Sequence, residues 1–171
     1  MKSGIKGQAK ERPTMRLAIL ALITCLALPV LAGDLNPRPG WAVHATAKTH
    51  AQLVEDTRAA ITANGLGIVT QAGPTEAAAR RGITIPGNRV IGAFNNDFAV
   101  RILALSTAAM IEAPIRFYVT ENADGSATLG YKLPSQVFAP YLDEAGAELA
   151  AIAAELDARF AAVAAQAIAS Q

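Results

Sequence analysis

Two histidines, His44 and His50, are the only side chains in this sequence whose ordinary pKa suits proton transfer near neutral pH. A small hydrolase would need His44 beside a polar partner, and Asn95, Asp97 and Tyr131 are the residues it would use. Asn95-Asn96-Asp97 forms a polar cluster where a strand runs into a helix, a place where binding groups gather. The same residues also suit a plain helix start: a short amide accepts a first-turn N–H, and Asp97 lies at the positive end of the helix dipole. Capping is the weightier reading. Arg116, Tyr118 and Lys132 fall on one face of a two-strand arm, where they would form a ligand floor or, the favoured reading, a solvated or dimer-buried surface.

Other chemistry is poorly supplied. Ser106, Ser126 and Ser135 sit at a helix end, a turn and a Pro-flanked loop, none of them in a Gly-x-Ser-x-Gly elbow. Gly65-Leu66-Gly67 follows a helix rather than a strand, the wrong order for a dinucleotide loop. A zinc site wants three or four closely spaced ligands, and two separate histidines do not provide them. No metal and no cofactor is expected.

The elements that must position these residues are read from apolar spacing. Trp41 to Thr46 reads as a strand, with Trp41, Val43 and Ala45 on one side and His44 and Thr46 on the other. Thr49-His50-Ala51-Gln52 is a capping box, with Gln52 reaching back to the Thr49 backbone. It opens a helix whose stripe is Leu53, Val54, Thr57, Ala60 and Ile61, and Asn64-Gly65 ends it. A strand over 67–71, a short helix from Gly73-Pro74 to Ala79 and a loop over 83–88 follow.

Val90, Ile91, Ala93 and Phe94 then form a strand, Phe98, Ile102 and Leu105 a helix, and Ile115, Phe117 and Val119 an alternating strand. The turn 122–126 folds this strand onto a partner carrying Leu129, Tyr131 and Leu133 on one face and Thr128, Gly130 and Lys132 on the other. A connection from Pro134 to Pro140 leads to an alanine-rich helix over about 143–169, striped by Leu149, Ile152, Leu156, Phe160 and Val163. The order predicts an α+β two-layer domain, a mainly antiparallel sheet of about five strands with helices on one face.

The chain's 171 residues begin with an address. Residues 17–32 carry no charge, and Lys2, Lys6, Lys10, Arg12 and Arg16 stand before them against a single Glu11. The apolar run is shorter than the about 20 residues of a membrane span and ends in small residues, so 1–32 reads as a secretory signal peptide cut after Ala32. Residues 33–40 read as a tether and 41–171 as one domain. Two alternatives stand beside cleavage: a membrane anchor through 17–32, and a lipoprotein, disfavoured because Cys25 follows Thr24. Met15 is a second start for the same signal.

Without the signal the charge reverses. Of 15 Lys and Arg, five leave, and of 14 Asp and Glu, one leaves, so residues 33–171 carry a formal −3. A weakly acidic domain without a basic cluster argues against nucleic acid and, once the signal is cut, against an anionic membrane surface. The single cysteine, Cys25, leaves too, so the exported form needs no disulfide.

From residue 41 to about 141, and less distinctly to 169, the chain resembles the bacterial domain-of-unknown-function family 302. The resemblance rests on the Gly65-Leu66 turn, Val90-Ile91-Gly92-Ala93-Phe94-Asn95-Asn96, Ile102-Leu103, Ala113-Pro114-Ile115-Arg116-Phe117-Tyr118-Val119, and Tyr131 before Pro134. The family usually has Pro where Asn96 stands. The resemblance implies a TATA-binding-protein-like curved sheet with helices on one face and a homodimer; it implies no agreed activity. The sequence therefore predicts an exported, periplasmic binding or accessory module, with a small apolar ligand between sheet and helices, and a His44-based hydrolase as the alternative.

Overall fold

Ile115, Phe117 and Val119 alternate with Arg116, Tyr118 and Thr120 along β4 (Ile115–Glu121); the first three are buried, while Arg116 is exposed, Tyr118 half-buried and Thr120 buried near the strand's end. That alternation divides the molecule into a covered and an uncovered side. The computed structural model describes Met1 and residues 34–169; the apolar stretch 17–32 and the expected cleavage after Ala32 lie outside the described residues.

The other strands are β1 (Trp41–Thr46), β2 (Gly67–Ala72), β3 (Asn88–Phe94) and β5 (Ala127–Lys132). They lie in the order β1-β5-β4-β3-β2, with every neighbour antiparallel. The helices are α1 (His50–Ala63), α2 (Thr75–Ala79), α3 (Asn96–Leu105), α4 (Pro134–Phe138) and α5 (Leu142–Ile168). The expected α+β architecture is the observed one.

Register carries the division across the sheet. Phe117 pairs with Tyr131 and Val119 with Leu129, while β3 sets Ile91 opposite Phe117. These side chains share one core with Leu53 and Ile61 of α1, Phe98 and Ile102 of α3, and Leu149, Ile152, Leu156 and Phe160 of α5. Three rings form its centre: Phe117 and Phe160 stack at 4.5 Å, and Tyr131 meets them at 5.2 and 5.5 Å. Fully burying a side chain of this size contributes about 1.5–3 kcal/mol. The one polar member of the α1 stripe, Thr57, is satisfied by donating to the Leu53 carbonyl at 2.6 Å.

Several local expectations change. Thr49 caps α1 by accepting from the Gln52 N–H at 3.3 Å, but the Gln52 side chain donates forward to Asp56 at 3.0 Å, so the box is one-armed. Asn88, placed in a loop by its neighbouring Pro-Gly, begins β3. The Pro134–Pro140 connection is helical, because a proline in the first turn loses no hydrogen bond that the helix would have made. Asp157 serves that turn by accepting the Ser135 N–H at 2.9 Å.

Residues 34–40, expected as a tether, lie against the sheet: a Cβ on Gly130 would come within 2.6 Å of Leu35 Cδ2. Lys48 closes the other end, reaching from the β1–α1 turn to Asp56 at 2.7 Å and to the Ala167 carbonyl in the last turn of α5 at 2.8 Å.

The alanine-rich helix is interrupted near its start. Gly146 has φ 62° and ψ −153°, a conformation open in practice to glycine alone. It separates the turn that carries Leu142 from the long segment that lies on the sheet. Gly146→Ala is expected to destabilise the protein by about 1–3 kcal/mol, read as a lower urea midpoint with an unchanged slope. An unaltered midpoint would mean the helix runs straight through.

Candidate functional site

Asn95 is a cap and more. Its Oδ1 accepts the backbone N–H of Asp97 at 2.9 Å and of Phe98 at 3.2 Å, and its Nδ2 donates to the Gly65 carbonyl at 2.9 Å. One amide therefore starts α3 and ties it to the turn after α1. Asn96 and Asp97 occupy the first turn, where the Asp97 carboxylate complements the dipole. Among the described residues no hydrogen bond or salt bridge reaches the Asn96 and Asp97 side chains from another element.

His44 is on the helix-covered side. Its register partner is Leu129, its ring lies 6.2 Å from that of Tyr131, and its Nε2 is enclosed without a hydrogen-bond partner. Tyr131 is 3% exposed and belongs to the core. Burial pushes its phenol up from the ordinary 10.0, and the Asp157 carboxylate adds to the effect. β1 and β3 are three strand steps apart, roughly 14 Å at ~4.8 Å per step, and Asn95 follows β3. The structure thus does not bring His44 together with Asn95 or Asp97; of the three partners the hydrolase reading names, Tyr131 alone stacks beside its ring.

His50 has a denser setting than the sequence suggests. Its ring packs on Gly87, where a Cβ would come within 2.5 Å of Cγ, and its Nε2 is enclosed without a partner. The Gly87 N–H donates to the Glu121 carboxylate at 2.6 Å beside it. Burial lowers the imidazole pKa below its ordinary 6.5, against an opposing pull from Glu121.

The space expected for a ligand between the layers is small. The cavity bordered by Leu66, Phe98, Ile102, Phe138 and Phe160 measures about 30 Å³, far below the roughly 300 Å³ at which small-molecule pockets begin.

The uncovered side is different. Arg116, Tyr118 and Lys132 do share one face, as their alternation implies, and the structure adds Trp41 and Glu112 to them. Trp41 pairs with Lys132 in the β1–β5 register, and Lys132 Nζ lies 5.9 Å from the indole centre. Arg38 from the lead segment lies 5.3 Å from the same ring. Carried one step past the Phe117–Tyr131 pair, the β4–β5 register sets Arg116 across from Lys132.

Together with Val90, Ile115 and Val137 these residues line a groove of about 290 Å³. Val137 comes from α4, whose neighbouring Phe138 points into the core. The Tyr118 hydroxyl accepts from the Asn88 amide. Among the described residues neither Arg116 nor Lys132 is in a salt bridge, and the groove's carboxylate, Glu112, accepts the Tyr141 hydroxyl at 2.7 Å. That bond, first among several causes, holds the Tyr141 pKa above its ordinary 10.0.

Trp41 and Glu112 escaped the sequence reading. Trp41 was visible with Val43 and Ala45 on one side of the first strand, but only the β1–β5 pairing places it beside Lys132. For Glu112, in a 3-10 turn before β4, no sequence signal exists.

Residues 41–167 match the family model described as domain of unknown function DUF302. Among solved structures, the chain is similar to an uncharacterized conserved DUF302 protein from Bacillus stearothermophilus, with 19% identity and a TM-score of 0.67 over 76% of this chain and 99% of that one. At that identity the likeness shows the fold alone. No curated protein matches the chain.

Two substitutions check these assignments. Asn95→Ala is expected to cost about 1–2 kcal/mol, and Asn95→Asp to recover only part, since a carboxylate restores the cap but cannot donate to Gly65. Full recovery in urea unfolding would remove the Gly65 tie. For His50, the folded pKa lies below the unfolded one, so its contribution is intact above about pH 6.5 and is lost as pH falls toward the folded value. Wild type is expected to lose stability between pH 7 and 5.5, and His50→Gln to lose less; equal losses would exclude His50 as the source.

Proposed function

The chain belongs to the DUF302 family of domains of unknown function, and from that premise we propose that it is an exported accessory module that holds a small organic ligand on the uncovered face of its sheet. The observation that carries this reading is the groove itself: about 290 Å³, at the small end of ligand pockets, with Trp41 and Tyr118 for contact area and two cations free of carboxylate partners among the described residues. Apolar walls with a few convergent polar groups are what a ligand site needs. The expected homodimer belongs to the same reading and is tested by sedimentation at several concentrations.

Export rests on the sequence. The uncharged stretch 17–32, its basic lead and the loss of Cys25 with it fit a cleaved signal. N-terminal sequencing of protein from the host's envelope fraction is expected to start at Gly33; a start at Met1 or Met15 would replace cleavage with an anchor.

The binding reading has a built-in reporter, because Trp41 is the chain's single tryptophan. In a fluorescence screen of small neutral, anionic and cationic compounds, saturable changes in Trp41 emission are expected for some. They should weaken at least tenfold in Arg116→Ala with Lys132→Ala. A library that leaves the emission unmoved would refute the proposal.

A further inference from the structure

Resting on that reading of the groove, we propose that its ligand is an organic carboxylate with an apolar body. The carboxylate lies on Arg116 and Lys132, and the body lies over Val90, Ile115 and Tyr118 beside Trp41.

Charge placement points to an anion. Arg116 and Lys132 line the same groove, and the β4–β5 register, carried one step past Phe117–Tyr131, sets them across from each other on the same side of the sheet, an arrangement that is destabilising when both charges go unanswered. Among the described residues no carboxylate lies within salt-bridge distance of either, although the exposed surface carries ion pairs elsewhere, such as Arg101 with Glu155. Arg38 brings a third cation to the Trp41 ring. An anion between the paired cations removes their repulsion and gains charge-assisted hydrogen bonds from a forked guanidinium and an ammonium.

Shape points to a carboxylate carried on something apolar. The groove has two lobes that share Trp41, Glu112, Arg116, Lys132 and Val137. One, about 290 Å³, continues over Val90, Ile115 and Tyr118. The other, about 350 Å³, opens over Gly40, Gln136 and Pro140. A bare inorganic anion would use the cations and leave the first lobe wet; an uncharged apolar molecule would use the lobe and leave the cations facing each other. Glu112, which borders both lobes, already accepts from Tyr141.

The test titrates the full exported chain at low salt, following Trp41 emission. The probes are phenylacetate, phenylacetamide and phenethylamine, with hexanoate and hexanamide as a second body. Both carboxylates are expected to bind at least tenfold more tightly than their amides, and phenethylamine more weakly still. Arg116→Gln with Lys132→Gln should erase the tenfold difference while circular dichroism stays unchanged, and 0.5 M sodium chloride should reduce it. Amides that bind as tightly as the acids, or an amine that binds best, would overturn the carboxylate assignment and leave the groove standing. Silence from all five probes at millimolar concentration would overturn the groove as well. A double variant that keeps the acid preference would move the anion site away from Arg116 and Lys132.

Discussion

The contact of Phe117 with Tyr131, closed from above by Phe160, decides which side of every strand is inside. Side chains in a strand alternate with period two, so one buried pair on β4 and β5 sends its neighbours, Arg116 and Lys132, to the opposite face. A slip of one residue would bury both cations under α5 and expose the rings. Each ring removed from water is worth about 1.5–3 kcal/mol, and an unpaired buried charge costs several more. The register is therefore held by the core, and the outer face inherits its layout as a by-product.

That dependence explains what was legible in the sequence. The inner stripes were readable because each is local: Ile115, Phe117 and Val119 report a strand, and Leu149, Ile152, Leu156 and Phe160 report a helix lying on it. Asn95 was readable for the same reason, since an N-cap is decided within three residues. The kink at Gly146 was hidden, because a glycine inside an alanine-rich run looks like a tolerated substitution until its φ is known. The helical turn at Pro134 was hidden because proline signals both a break and a beginning.

The groove was legible only in part. Arg116, Tyr118 and Lys132 come from adjacent strands joined by a tight turn, so alternation alone puts them together. Trp41 enters through the pairing of the first strand with the last, a contact across some ninety residues that spacing does not encode. The same long-range order separates His44 from Asn95 and Asp97. Placing β1 at one side of β5 and β3 beyond β4 puts two strands between residues that a list of reactive groups sets side by side.

The two faces also differ in what they can afford to leave unsatisfied. Like charges in water repel by only about 1 kcal/mol even at about 4 Å, less than a single core ring contributes, so the sheet can hold Arg116 and Lys132 on one face without help. A partner carboxylate could have been supplied by the chain, as Glu155 is for Arg101 and Asp56 for Lys48. Here the nearest acid in the groove is turned toward Tyr141 instead. The layout of the two cations is thus set by the register and carried at small cost by a core that does not feel it.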